Sequence, residues 1–251
     1  MKQAQRHQEI IELLSQCGFA STEELVTHFD VSPQTIRRDL NELAQQNKIQ
    51  RHHGGASLSS SNVSLYATHQ VPQWEEKERI ARVVAARIPD GASLFIDIGS
   101  SCEAVARALL DHRDLRIVTN NLNVASILTA RDDFTVIIAG GEIRSRDGGI
   151  VGESTRDFIA QFRMDFGVVS IAAIDALGDL LNHHYPEVRV TKAIMEHSRT
   201  LFMLADHAKF GRHAMVSLGS ISQVDVLFTD AEPPQTLCQL MQHHKVAWRV
   251  C

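Results

Sequence analysis

The sequence predicts an α/β protein in two parts, and three observations carry that prediction. Residues 1–57 hold three short amphipathic helical stretches followed by a hairpin-like segment. The stretch that follows, with Ser57-Leu-Ser-Ser-Ser-Asn-Val-Ser64 and then Pro72, is small and polar, a composition that buries little apolar surface and reads as a linker over 58–74. Beyond it, from residue 75 to 251, near-continuous apolar runs such as Val136-Ile-Ile-Ala139 alternate with helical patterns. Apolar runs of that kind suit strands covered on both faces, hence a mostly parallel sheet flanked by helices.

The elements of 1–57 follow from spacing and caps. Ile10, Leu13, Leu14 and Cys17 mark one face of a first helix, which Gly18 ends. Ser21-Thr-Glu-Glu24 is a capping box opening a second helix whose apolar residues are Leu25, Val26 and Phe29. Ser32 caps a third helix and Pro33 suits its first position. The inward face of this third helix is Ile36, Leu40 and Leu43. Ile49–Ala56 reads as a two-stranded wing turning at Gly54-Gly55. Together these elements spell a winged helix-turn-helix.

On the third helix, at about 100° per residue, Gln34, Arg38 and Asn41 point away from the apolar face, and Thr35 and Arg37 flank them. With Ser32 at the cap they form a surface of amides, hydroxyls and guanidiniums, the groups that read base edges and grip phosphates. Arg51, His52 and His53 on the wing are placed to meet phosphate. Residues 1–57 are not basic, with six Lys and Arg against seven Asp and Glu, so the helices alone also fit a packing module that never touches DNA.

In 75–251 the patterns predict a helix over Glu75–Arg87, then strands at Ser93–Ile98, Leu115–Thr119, Phe134–Ala139, Phe166–Ile171, Thr200–Ala205 and Val224–Thr229. Helices fall at Cys102–Leu110, Asn123–Ala130, Ser154–Phe162, Pro186–Ser198 and Pro234–His243. In such sheets ligands bind beyond the carboxyl ends of the strands. Three strand-end loops therefore matter. In Asp97-Ile-Gly-Ser-Ser101, Gly99 lets backbone approach a ligand, and Ser100, Ser101 and the helix start can donate to phosphate. Asn120 and Asn121 offer amides, or simply cap the next helix. The glycine-rich loop Gly140–Gly152 brings Arg144 and Arg146.

The 251 residues carry a net charge of −5, which argues against nucleic-acid binding along the whole chain but allows a small reading module on an acidic body. Four scattered cysteines without a CxxC pair point to reduced thiols and to neither a disulfide framework nor a zinc site. Adjacent histidines such as His183-His184 do not converge on one ligand, so no metal and no cofactor is expected. No apolar run approaches the roughly 20 residues of a membrane span, and a polar N-terminus fits a soluble, cytoplasmic protein.

Val31-Ser-Pro-Gln-Thr-Ile-Arg-Arg-Asp-Leu-Asn-Glu-Leu43, followed by Arg51-His-His-Gly-Gly-Ala56, resembles the signature of the DeoR family of bacterial repressors. The resemblance continues through Leu94–Gly99, Ile117–Asn123, Ala139–Glu142, Arg144–Gly149 and Asp206-His-Ala-Lys-Phe-Gly211. It implies a DNA-binding repressor that works as a homo-oligomer, commonly a tetramer, on operator DNA. It also implies a sensor domain related to phosphosugar isomerases, and a small phosphorylated effector, glycerol 3-phosphate, that releases the operator of glycerol 3-phosphate metabolism genes. Asp206 and Lys209 match the family's late motif and are implied effector contacts, as is Glu187. Where the family has Lys this chain has Thr191, with Lys192 as a substitute; Ser170 and Ala173 stand where close relatives have glycines. These departures predict a weaker response to effector. Two other readings stay open: an isomerase-like enzyme using Asp97, Glu187 or Asp206 as base, and an interaction module with an inert pocket.

Overall fold

A computed structural model describes residues 3–17, 19–46, 48–52, 54–58 and 73–251. The chain divides into two compact units, 1–74 and 75–251. Most of the expected linker, 59–72, lies outside the described residues, as does His53.

The first unit contains α1 (Gln3–Cys17), β1 (Phe19–Ser21), α2 (Thr22–Phe29), α3 (Pro33–Gln45), β2 (Ile49–His52) and β3 (Gly55–Leu58). The caps form as the residues dictate. Ser21 Oγ accepts from the Glu24 N–H at 3.1 Å while Glu24 accepts from the Ser21 N–H at 2.8 Å, and Ser32 Oγ accepts from the Thr35 N–H at 3.2 Å. A helix of thirteen residues such as α3 is marginal in water by itself. What holds it is the burial of Ile36, Leu40 and Leu43 against Ile10, Leu14 and Leu25, each such side chain contributing about 2 kcal/mol. β2 and β3 form the wing, with Gly54 at φ 85° turning it. The sheet has a third strand the sequence reading did not anticipate: β1 pairs antiparallel with β3, and at three residues it is too short to show alternation.

The second unit opens with α4 (Trp74–Ala85) and is built on seven strands: β4 (Ser93–Ile96), β5 (Arg116–Thr119), β6 (Thr135–Ile138), β9 (Met164–Ser170), β12 (Ser198–Leu204), β14 (Val226–Thr229) and β15 (Ala247–Val250). Their order is β15-β14-β12-β9-β4-β5-β6, and every neighbouring pair is parallel. Side chains alternate between the two faces. Leu94, Ile96 and Phe202 pack with Ile80 and Val84 of α4 and with α5 (Ser100–Ala108) and α6 (Leu122–Leu128). Phe95, Val169 and Met203 pack with α7 (Glu153–Ile159), α8 (Tyr185–Glu196) and α9 (Gln235–His244) on the other side.

Six strands were expected; the seventh, β15, is a mostly exposed edge strand whose short apolar run is broken by Arg249. Two smaller antiparallel sheets were also not anticipated. One is β10 (Ala173–Ile174), β11 (Asp179–Asn182) and β13 (Val216–Ser220); the other pairs β7 (Glu142–Ile143) with β8 (Ile150–Val151). From β4 the chain runs outward through β5 and β6, then returns to place β9, β12, β14 and β15 on the opposite side. The reversal falls between β4 and β9, and in open α/β sheets ligands bind beyond the carboxyl ends of the strands at such a point.

Candidate functional site

The exposed face of α3 is wired in pairs. Ser32 and Thr35 share their hydroxyls at 2.9 Å, so both side chains serve the helix start as well as facing outward. Arg38 Nε donates to Glu42 at 3.1 Å. Arg51 reaches across from β2 and donates to Asn41 Oδ1 at 2.6 Å. Gln34 and Arg37 are exposed. Arg37 and Arg51 line a cleft of about 830 Å³ together with Thr22, Thr27, Pro33 and Gly54. The backbone of His52 lies in β2 opposite Gly55.

Behind that face is a charge the sequence reading missed. Asp39, on the inward side of α3, is 1% exposed. It accepts two hydrogen bonds from Arg6 (2.6 and 3.2 Å) and faces His7 Nε2 at 3.0 Å, so α1 is tied to α3. Burial pushes its carboxyl up, but the bonds from Arg6, His7 and Gln3 outweigh that and hold it below the ordinary value. The signal was available: a carboxylate among Ile36, Leu40 and Leu43 requires a buried partner.

At the strand ends of the second unit a chain of hydrogen bonds starts at Asp97, immediately after β4. Thr191 of α8 donates to Asp97 Oδ2 at 2.6 Å. One turn earlier on α8, Glu187 accepts from Arg144 at 2.6 Å and from Asn182 at 2.9 Å. Arg144 turns its remaining donors to Asp147 at 2.8 and 2.7 Å. Thus the glycine-rich loop, α8 and the end of β4 form one network. Asp97 is 2% exposed; burial pushes its carboxyl up to about 6, the Thr191 hydroxyl opposes this, and the neighbouring Glu187 adds to it.

The backbone supports the same place. Gly99 has φ 132° and caps α5 with no side-chain bond, so the first N–H groups of α5, from Ser100 and Ser101, form the kind of helix start that suits an anion. A Cβ at Gly99 would run into the Ser170 hydroxyl, which itself donates to the Ile98 carbonyl at 2.9 Å. Ser170 therefore ties β9 to the loop that follows β4. Ala173 is buried in β10. Asn121 is a cap, accepting from the Asn123 and Val124 N–H groups, while Asn120 donates to the Ile150 carbonyl.

A second cluster follows β12. Asp206 is 1% exposed; its Oδ1 accepts from the Ala208 N–H. Its Oδ2 lies 3.9 Å from the ammonium of Lys77, too far for a hydrogen bond. Lys77, on the first turn of α4, is itself buried. Burial lowers its pKa, Asp206 opposes this, and the nearby charge of Lys209 lowers it further. Sequence reasoning missed Lys77 because a lysine in the first turn of a helix looks solvated until the segment after β12 lies beside it. Lys192 joins neither group: it is exposed and lines an outer groove with Arg156, Tyr185 and Arg189. It lies one residue beyond Thr191, about 100° round the helix, which turns it outward.

Just beyond β4, β5 and β12, four buried polar atoms have no hydrogen-bond partner: Asp97 Oδ1, Asn120 Oδ1, Asn121 Nδ2 and Asp206 Oδ2. Buried polar atoms are normally paired. These four offer three acceptors and one donor to a ligand.

Comparison with known proteins matches the two units to two models in tandem: a DeoR-like helix-turn-helix domain over residues 6–62 and a DeoR C terminal sensor domain over 72–231. Among curated relatives, the chain is 60% identical to the glycerol-3-phosphate regulon repressor of Escherichia coli (strain K12), with all of both chains covered. It is 53% identical to the protein of that name from Haemophilus influenzae, over all of this chain and 98% of the other. To the HTH-type transcriptional repressor CsqR of Escherichia coli it is 43% identical, over 96% of this chain and 93% of the other. These relatives are named transcriptional repressors, not enzymes. Among solved structures, ribose 5-phosphate isomerase from Plasmodium falciparum aligns over 53% of this chain and 52% of its own at 11% identity and TM-score 0.39, a likeness that identifies no activity. No helix among the described residues is long and apolar enough to cross a membrane. With both domains matched and relatives this similar along the full length, the chain belongs to the DeoR family.

Proposed function

We propose that this chain represses genes of glycerol 3-phosphate metabolism by binding operator DNA through residues 1–57. On this reading it leaves the operator when the 75–251 unit takes up a small phosphorylated metabolite, glycerol 3-phosphate. The observation that carries the sensing half is the set of unpaired polar atoms at the strand ends. A polyol hydroxyl donates to Asp97 Oδ1 or Asn120 Oδ1 and accepts from Asn121 Nδ2; Lys209 and Lys77 supply positive charge for a phosphate. Arg144 and Glu187 hold the loop over the strand ends rather than standing ready for ligand, since their donors and acceptors are engaged with each other, Asp147 and Asn182. Gln34, Arg37, Arg38 and Asn41 face the major groove, and Ser32 and Thr35 the adjoining backbone.

Effector and operator then oppose each other through a coupling free energy. A homo-oligomer, dimer or tetramer, working in the cytoplasm fits near-palindromic operators read by paired helix-turn-helix units. With Thr191 spent on Asp97, the pocket has one cation fewer than a lysine there would give, and the response to glycerol 3-phosphate is correspondingly weaker than in relatives that carry the lysine. Glycerol 3-phosphate affinity unchanged in Thr191→Lys would refute that last point.

The test is fluorescence anisotropy on DNA from upstream of glycerol 3-phosphate metabolism genes, at fixed salt because phosphate contacts make binding salt-dependent. Tight binding relieved by glycerol 3-phosphate, with at least about tenfold more effector needed in Lys209→Ala (about 1.4 kcal/mol), is the expected result. Tight binding that ignores glycerol 3-phosphate overturns the effector assignment, and absence of specific binding overturns the repressor.

A further inference from the structure

The wing arginine is held in an unusual way. Arg51 stands on β2 opposite Ala56, is exposed, and donates from Nη1 to Asn41 Oδ1 on the third turn of α3 at 2.6 Å. Fixing two exposed, flexible side chains costs rotamer freedom, whereas a solvent-exposed hydrogen bond returns little. A guanidinium held in a plane is set for bidentate recognition, of a base edge or of a phosphate, and the groups around it decide between the two.

Position adds to this. Residues 33, 37 and 41 lie on one i, i+4 row of α3. Pro33, Arg37 and Arg51 line the same cleft, and Asn41 continues the row. Arg51 is therefore an added side chain on the exposed row of α3, supplied by the wing. Glu42 already holds Arg38 on the neighbouring row.

Chemistry narrows what the pair reads. The amide oxygen of Asn41 accepts from Arg51 and keeps one lone pair. Donors outnumber it: the second N–H of Nη1, with Nη2 and Nε, on Arg51 and Nδ2 on Asn41. In the major groove guanine presents two adjacent acceptors, O6 and N7. Adenine sets a donor beside N7, and cytosine presents a donor. A donor-rich pair fits the two adjacent acceptors of guanine and is repelled by the exocyclic amines of adenine and cytosine, while thymine offers it a single acceptor, O4, beside a methyl group.

We propose that Arg51 and Asn41 act as one unit that reads a guanine in the operator's major groove, so that Arg51 sets sequence specificity and is not a phosphate clamp. This rests on the reading of the chain as an operator-binding repressor. The experiment uses the full chain. Selection from random duplexes with the wild type defines the preferred site. Anisotropy over a range of salt then compares wild type, Arg51→Ala, Arg51→Lys and Asn41→Ala on that site, on each single-base-pair change of it, and on an unrelated duplex. Thermal melts confirm that each variant is folded.

Arg51→Ala is expected to lose about ten- to a hundredfold in affinity for the selected site and to become indifferent at one G·C pair, with its affinity for the unrelated duplex little changed. Arg51→Lys, which keeps the charge but not the fork, is expected to follow Arg51→Ala, and Asn41→Ala to blur the same pair. An equal loss on both duplexes, with the salt slope reduced by about one, overturns the proposal, as does an Arg51→Lys protein that discriminates like the wild type. Failure of the wild type to select any sequence sinks the repressor reading itself. A selected sequence at which every variant still discriminates sinks only the assignment of Arg51.

Discussion

The two units keep their polar groups in opposite ways. On and beside the exposed face of α3, Thr35, Arg38, Asn41 and Arg51 are tethered in pairs, to Ser32, to Glu42 and to each other, and the buried charges, Asp39 and Arg6, are paired together. At the strand ends of the larger unit, Asp97, Asn120, Asn121 and Asp206 are buried with an atom each left over. Under the proposed function the contrast follows from the ligands. DNA is large and charged and can be met at the surface by side chains arranged in advance. A small polyol phosphate would have to be surrounded, and a site for it would keep desolvated groups whose pairing the ligand completes, at a standing cost to stability.

That contrast can be broken most forcefully at Asp39. Asp39→Ala leaves Arg6 buried without its carboxylate and is expected to destabilise the small unit by about 3–5 kcal/mol. Thermal melting of the full chain should show an early transition and operator binding should be lost, while the transition of the larger unit stays in place. Melting unchanged by Asp39→Ala would mean that the α1–α3 tie contributes nothing.

Asp97 tests the other side. Its folded carboxyl titrates at about 6, above the ordinary value of 3.8. A raised carboxylate pKa favours folding while the group is protonated, fully so below the unfolded value. The contribution fades as pH rises from about 4 to about 6, a span worth roughly 3 kcal/mol. Asp97→Asn should therefore flatten the fall in stability of the larger unit across that window and raise its stability at pH 7, at the expense of effector affinity. Parallel melting-temperature profiles for wild type and variant from pH 4 to 7 would remove Asp97 as a stored cost.

Arg37→Ala should weaken operator binding by about 1–3 kcal/mol, and Arg38→Ala by less, because Glu42 already offsets part of its charge; anisotropy at one salt concentration ranks the two. Unaltered binding by both would refute the placement of the recognition face. The smallest effect is expected at Thr191. Thr191→Val removes the hydroxyl that opposes the rise at Asp97, so the Asp97 midpoint should move further up, at a stability change of about 1 kcal/mol. An NMR titration of the Asp97 carboxyl carbon reads that midpoint directly, and a midpoint that stays put or falls would show the hydroxyl to be without influence.

Much of this was legible in the chain. Ser21 with Glu24, Ser32 with Pro33, and the spacing of Ile36, Leu40 and Leu43 fixed the helices of the small unit, because caps and a 3.6-residue period are local properties. Apolar runs marked six of the seven parallel strands, since a strand covered on both faces has to be apolar throughout. Asp97, Asn120 and Asn121 could be placed at strand ends from the sequence, because a strand end is visible once the strand is. What escaped was non-local or short. β1, at three residues, is too short to display a period, and β15 is a mostly exposed edge strand whose apolar run is broken by Arg249. Arg6 and Lys77 look like solvated surface charges until a partner some thirty or more than a hundred residues away along the chain covers them. The outward turn of Lys192 and the seat of Thr191 on Asp97 depend on how α8 is rotated against the sheet. By itself, then, the sequence determined which elements form, the class of fold and the family, since these rest on local propensity and on patterns repeated along the chain. Only the tertiary structure decided which charges are buried, which hydrogen bonds are already spent and which polar atoms are left without a partner, because each depends on neighbours brought together by packing.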